Sequence, residues 1–283
     1  MNIQKLIENN LNLKINFKLI PNIFSSILNL KDNSIFYVQD LDEKILKKIN
    51  NLRHGILILS KKNIRIKKKI TQIESKNPKL FFFDLIREFK IKNIENVSPK
   101  IGKNTKIYKN VFIGNNVTIG KNCEIFPGVV IGDNVKIGNN CLIKSNSVIG
   151  QKGFGIVQDT RGNLLEIPHI GGVKIKDYVE IGAHNTIACG TIDDTKIFSY
   201  NKFDDHVHVA HNCKINKNNI FCAGTVIGGS VIIGSSNFFG LNCTIKNKIL
   251  IGSNNTIGQA ANVVKNIKNK SVFVGNPARK NIY

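Results

Sequence analysis

The sequence predicts a mainly β protein, in which a small α/β domain precedes a three-sided parallel β-helix. Two observations carry this prediction. A six-residue repeat starts at Val111, where the chain reads VFIGNN, VTIGKN, CEIFPG, VVIGDN and VKIGNN, and it resumes later as VHVAHN, CKINKN and TVIGGS. The first 95 residues lack this repeat. We therefore expect a small domain over 1–95, the β-helix over 96–266 and an exit segment over 267–283.

The composition of the repeat explains why it forms a helix of strands. Slots one and three hold small or branched apolar residues, which point to the same face of a short strand. Slot four is usually Gly and slot six often Asn, and both tolerate the backbone angles of a tight corner. One hexad then makes one side and one corner, and three hexads make a coil. A coil cannot bury its apolar face alone, so the stack is the unit of stability.

The first 95 residues read as a small α/β domain. Strand-like runs, Ser34–Val38 and Gly55–Leu59, alternate with Lys-rich segments. The run from Pro78 to Ile91 is apolar at helical spacing and has proline near its start, which favours a helix there.

Bulk properties limit the classes of partner. The net charge is +22, from 41 Lys and Arg against 19 Asp and Glu, and it favours anionic partners. The lysines are scattered and not interleaved with aromatic residues, so we expect no nucleic-acid partner. None of the six cysteines forms a CxxC pair, which favours reduced thiols in a cytoplasmic protein. We expect no membrane span and no secretory signal.

The repeat resembles that of the left-handed parallel β-helix acyltransferases. Within it, residues 150–212 resemble the UDP-3-O-acylglucosamine N-acyltransferases of the lipid A pathway, in the order and spacing of several motifs. These motifs are IGQKGFG, IPHIGGVKI, VEIGAHNTI, DDT and FDDHVHVAHN. The N-terminal domain resembles that family's uridine-binding domain more loosely. The resemblance implies acyl transfer from a pantetheine thioester to an amino sugar, no permanently bound cofactor, and a homotrimer with active sites between neighbouring chains.

His211 is the residue that the resemblance marks as general base, in the triplet AHN. The hexad supports this placement, since Val207 and Val209 take the core slots and leave His211 at a corner. An attacking amine loses a proton as it adds to a thioester, and an imidazole suits that task. The alternative is an exposed corner histidine with no role. His206, His208 and His211 need not converge on one point, and we expect no metal site.

Other site residues follow from the resemblance. Gly229 matches a glycine whose backbone N–H stabilises the oxyanion, although it reads equally well as a turn glycine. Asp204 is a weak candidate for orienting His211, and a solvated corner residue is the alternative. The substrate-binding candidates are Tyr37, Asp40, Lys248, Phe154, His169 and His206. Tyr37 aligns with a base-stacking Phe of the family, while Asp40 departs from its Asn, so uridine and thymidine both stay open.

Three functions remain after this reasoning. The chain ends after GNPARKNIY, which resembles acyltransferases that use coenzyme A, and this ending favours N-acylation of a nucleotide-linked amino sugar for a surface glycan. The first alternative is the lipid A step, with a 3-hydroxyacyl group from acyl carrier protein. The second is a non-catalytic β-helix scaffold. The interruption from Gly153 to Gly172 is either a loop that covers substrate or reaches a neighbouring chain, or a tolerated insertion.

Overall fold

The computed structural model describes residues 23–60, 66, 70–92 and 97–280, and it divides into two compact units. The first unit comprises residues 1–95 together with 154–168, and the second comprises 96–153 together with 169–283. Most of the interruption in the repeat therefore belongs with the N-terminal unit, and the exit segment belongs with the β-helix. The boundaries expected from the sequence, 1–95, 96–266 and 267–283, predicted neither of these two assignments.

The first unit is a small α/β structure with one parallel sheet. Its strands, in spatial order, are Ile23–Phe24, Ser34–Tyr37, Gly55–Leu59 and Ile70–Glu74. Its helices are Glu43–Asn50, which begins where the side chain of Asp42 accepts the N–H of Ile45, and Pro78–Lys92.

An antiparallel hairpin completes the first unit, with strands Ile156–Gln158 and Leu164–Glu166. It comes from the interruption in the repeat, yet it is joined to helix Pro78–Lys92. The ammonium group of Lys79 donates to the carbonyl of Ile156 at 3.4 Å, and the guanidinium of Arg87 donates to the carbonyl of Glu166 at 3.1 Å.

The second unit is a β-helix whose three sides are parallel sheets, so the predicted fold class is confirmed. The first sheet contains Phe112–Ile113, Val130–Ile131, Val148–Gln151, Thr186–Ala188, His208–Val209, Val226–Ile227, Thr244–Ile245 and Asn262–Val263. The second contains Lys100–Ile101, Thr118–Ile119, Val135–Ile137, Val173–Ile175, Thr195–Ile197, Lys214–Ile215, Ile232–Ile233 and Leu250–Ile251. The third contains Lys106–Ile107, Glu124–Ile125, Leu142–Ile143, Glu180–Ile181, Lys202–Phe203, Ile220–Phe221, Phe238–Phe239, Thr256–Ile257, Val272–Val274 and the antiparallel Arg279–Lys280.

The interior of the β-helix consists of stacked like residues, one per coil. Rings of Phe203, Phe221 and Phe239 lie parallel with centroids 4.6 Å apart. Beside them runs a buried ladder of asparagines, in which the side-chain oxygen of Asn219 accepts from both nitrogens of Asn237 at 2.9 Å. At this step Asn237 donates both nitrogens to Asn219, so these buried polar groups are satisfied. At the end of the ladder, the Nδ2 of Asn255 has no partner among the described residues.

The corners confirm the reading of slot six. Residues at this slot adopt left-handed backbone angles, and asparagine is the commonest among them. Asparagine tolerates this conformation better than other residues that carry a Cβ. No helix in the described part of the chain is long and apolar enough to cross a membrane.

Candidate active site

His211 lies where the chain turns from the first sheet to the second, a position that we call the His211 corner. The preceding strand fixes it, since the side chains of Val207 and Val209 are buried and the N–H of Ala210 donates to Ile227 O at 3.0 Å. These contacts leave the imidazole half-buried at the corner.

Two glycines hold space for the imidazole. A Cβ on Gly229 would lie 2.8 Å from Cε1 and 2.9 Å from Nε2 of His211. A Cβ on Gly153 would lie 2.9 Å from both Cβ and Cδ2 of the same side chain. Real Cβ atoms do not approach that closely, so the ring rests against bare backbone on two sides.

Asn212 holds the remaining edge of the ring. Its side-chain oxygen accepts the N–H of Thr191 at 2.8 Å, which leaves its amide nitrogen 3.0 Å from Nδ1 of His211. The same amide nitrogen lies 3.1 Å from the hydroxyl of Thr191. Sequence reasoning did not single out Asn212, although it is the last residue of the AHN triplet.

The environment of His211 keeps its imidazole neutral. Burial lowers the pKa of His211 below its ordinary value of 6.5, and the nearby ring of His169 lowers that pKa further. The two rings meet edge to face with centroids 5.8 Å apart, and His169 is buried with 2% of its surface exposed. A neutral imidazole near pH 7 is the form that can accept a proton.

The backbone of Gly229 offers an open hydrogen-bond donor one coil beyond His211. At some other corners the equivalent N–H is capped by a side chain from the next coil, as when Asp133 accepts from Asn115 at 2.8 Å and Asp205 accepts from Ala183 at 2.7 Å. In the described part of the chain, no acceptor takes the N–H of Gly229. A neutral imidazole and an uncapped N–H donor therefore lie side by side, an arrangement that could serve acyl transfer.

Comparison with known proteins places this chain in a family. Residues 98–131 and 118–151 match the bacterial transferase hexapeptide (six repeats) family. The chain is 36% identical to a UDP-3-O-acylglucosamine N-acyltransferase of Campylobacter lari over 257 residues, which cover 83% of this chain and 80% of that protein. The chain belongs to the UDP-3-O-acylglucosamine N-acyltransferase family.

A second relative carries the same name, and a solved structure of another acyltransferase has a similar fold. UDP-3-O-acylglucosamine N-acyltransferase 2 of Legionella pneumophila is 49% identical over 129 residues, which cover 46% of this chain and only 37% of the relative. Among solved structures, the UDP-N-acetylglucosamine acyltransferase of Bacteroides fragilis superposes with a TM-score of 0.59 and 25% identity, over 67% of this chain and 74% of that one. The resemblance read from the sequence motifs is confirmed.

Asp204 does not contact the imidazole of His211. Its side chain makes no hydrogen bond to His211, and its backbone carbonyl accepts from Asn185 Nδ2 at 2.9 Å. It lies at the end of the third sheet, whereas His211 follows the first, so the strand His208–Val209 separates them. The side chain within hydrogen-bond distance of the imidazole is that of Asn212.

His206 lies at a different corner from His211, between the third and first sheets. It has a left-handed backbone angle, and its ring stacks on that of His184 with centroids 5.1 Å apart. His169, also predicted to bind substrate, packs beside His211 as described above. Among the described residues, no group of three metal-ligating side chains converges.

Lys248 lies on the His211 corner, two coils beyond Asn212. Its side chain is exposed, and its N–H donates to the carbonyl of Gly229 at 2.9 Å. Farther along the same corner, a cavity of 450 Å³ combines apolar and cationic lining, with Val263, Lys265, Phe273 and Arg279 among its residues. Positively charged side chains therefore lie beyond the open N–H of Gly229 along the axis of the β-helix.

The remaining predicted residues lie in the first unit. Tyr37 packs its ring against Phe82 and Phe83 with centroids 5.0 and 6.0 Å away, and burial raises its pKa. Asp40 is exposed just before helix Glu43–Asn50. Phe154 is 90% exposed, an unusual state for a large apolar side chain.

Proposed function

We propose that this chain catalyses the lipid A step in which an acyl group moves from an acyl carrier protein thioester to the amino group of UDP-3-O-acylglucosamine. The pairing of His211 with the uncapped N–H of Gly229 carries this proposal. The sequence analysis placed acylation for a surface glycan first. The similarity to the Campylobacter relative along most of both chains favours the lipid A step, which was its alternative.

The reaction follows from the geometry. The amine nitrogen attacks the thioester carbonyl while His211 takes one of its protons. The negative charge that develops on the carbonyl oxygen accepts a hydrogen bond from Gly229 N–H. Collapse of the tetrahedral intermediate forms the amide, breaks the carbon–sulfur bond, and passes the proton from His211 to the departing thiolate.

The donor is placed along the His211 corner. Lys265 is three coils beyond His211, about 14 Å at the usual spacing of strands. Lys248 on the corner and Lys265 and Arg279 in the cavity supply positive charge along that path. This charge suits the phosphate of a pantetheine arm whose thioester lies at Gly229. The acceptor approaches from the opposite side of the imidazole, and a homotrimer supplies the second wall of the site.

The experiment supplies purified protein with UDP-3-O-acylglucosamine and a 3-hydroxyacyl carrier protein, and reads the mass of the product. We expect amide formation that His211→Ala abolishes and that the matched corner variant His184→Ala retains. If product forms only from coenzyme A thioesters and other nucleotide-linked amino sugars, the surface-glycan function is favoured. No product from any pair would favour a scaffold. A light-scattering mass near that of one chain would refute the shared site.

A further inference from the structure

The outward face of the second sheet carries a column of lysines. Lys136 pairs in register with Lys174, Lys174 with Lys196, and Lys196 with Lys214, so four ammonium side chains lie on consecutive coils. Consecutive coils are about 4.8 Å apart, and like charges directly opposite each other on adjacent strands destabilise a sheet. We call these four residues the basic column.

Among the described residues, three of the four lysines in the basic column make no ion pair, unlike two lysines on the third sheet, although Asp194 also interacts electrostatically with Lys196. On the third sheet Lys106 pairs with Glu124, and Lys202 pairs with Glu180. In the column only Lys174 has such a partner, Asp194 at 2.5 Å. In the part of the chain that the structure describes, no carboxylate lies within ion-pair distance of Lys136, Lys196 or Lys214.

Two tyrosines border the basic column at the corner that leads to the third sheet. Tyr178 and Tyr200 stack with ring planes 3° from parallel and centroids 4.9 Å apart, and they are 46% and 52% exposed. Their φ angles are 60° and 65°, in the left-handed region that asparagine occupies at most neighbouring corners. This backbone conformation is strained for tyrosine, so the two tyrosines do not stabilise the corner. Their exposed rings therefore need another explanation.

We propose that the basic column and this tyrosine pair form a docking surface for an anionic phospholipid bilayer. Lysines on one sheet face present charge to a plane, and clusters of four or more bind anionic headgroups. Tyrosine prefers the boundary between headgroups and acyl chains. Docking would bring the enzyme close to a bilayer, which is useful if the proposed function holds, because its acceptor and product carry acyl chains. The binding itself does not depend on the proposed function.

The test measures sedimentation of the full chain with vesicles of phosphatidylcholine alone or containing about one third phosphatidylglycerol. We expect binding only to the anionic vesicles, lost at high salt because screening shortens the range of the charges. A triple variant, Lys136→Gln, Lys196→Gln and Lys214→Gln, lowers the partition coefficient on the order of 100-fold, since each lysine contributes roughly a factor of five.

Matched variants separate the surface from bulk charge and from folding. Lys31→Gln, Lys44→Gln and Lys48→Gln remove the same charge from the first unit, and we expect binding within about twofold of the parent. Tyr178→Asn with Tyr200→Asn places the usual corner residue at both sites, so it preserves the fold while weakening vesicle binding severalfold.

Three outcomes overturn the proposal. These are equal binding to neutral vesicles, an equal loss in the control variant, and a triple variant that keeps vesicle binding but no longer binds an acidic carrier protein. Acyl transfer assayed without vesicles is read separately, so failure of the proposed function is distinguishable from failure of the docking surface.

Discussion

Replacing Gly229 with alanine tests the central geometry of the site, because it adds one methyl group and keeps the backbone N–H. The new Cβ would lie 2.8 Å from Cε1 of His211. Carbon atoms pack at about 3.5–4.0 Å, so the imidazole must move by roughly 0.7–1.2 Å. A misplacement of about 1 Å costs on the order of 100-fold in rate, or about 2.7 kcal/mol of transition-state stabilisation.

The assay follows release of free thiol from the acyl donor, and kcat/KM is compared among the parent, Gly229→Ala, His211→Ala and the double variant. If alanine acts by displacing the imidazole, it has no further effect once His211 is already alanine. The backbone at Gly229 is not in the left-handed region, so thermal stability stays close to that of the parent. An unchanged kcat/KM in the single variant would refute the reasoning, as would an equal loss in the His211→Ala background.

Three further predictions concern the surroundings of the base. The pKa of His211 is lowered, so kcat/KM stays level above pH 6.5 and falls only at more acidic pH, where the imidazole becomes protonated. In His169→Gln the pH at which kcat/KM falls, the acid limb of the profile, moves up towards 6.5. Asn212→Asp places a carboxylate beside Nδ1, so the same limb rises by about one pH unit or more, and an unmoved profile would rule out this contact. Asn219→Ala interrupts the buried ladder and lowers the free energy of unfolding by about 2–3 kcal/mol in urea titrations, while Lys217→Ala at the exposed corner nearby leaves it unchanged.

The hexad predicted most of the β-helix because its information is local. Each strand needs only its own apolar slots, and each corner needs only its own Gly or Asn, so strands such as Val226–Ile227 and corners such as Asn212 follow from six letters at a time. The position of His211 followed for the same reason, since Val207 and Val209 define which way it faces.

The rest depends on contacts between distant segments. Partners on adjacent coils are usually 18 residues apart, but near the interruption the separation becomes 38 and then 22. No local pattern announces that His169, from beyond the hairpin, packs on His211, or that Thr191 orients Asn212. The hairpin was likewise read only as an interruption, because its partners Lys79 and Arg87 lie more than 70 residues earlier.

The placement of the site along the stack has a consequence for its endurance. The strand His208–Val209 is the fifth of eight in the first sheet, with four neighbours on one side and three on the other. In a solenoid each coil is held by the coils next to it, so thermal fraying starts at the ends and travels inward. Amide hydrogens around His211 should consequently exchange with solvent among the slowest in the β-helix. The candidate active site therefore lies in the part of the β-helix that unfolds last.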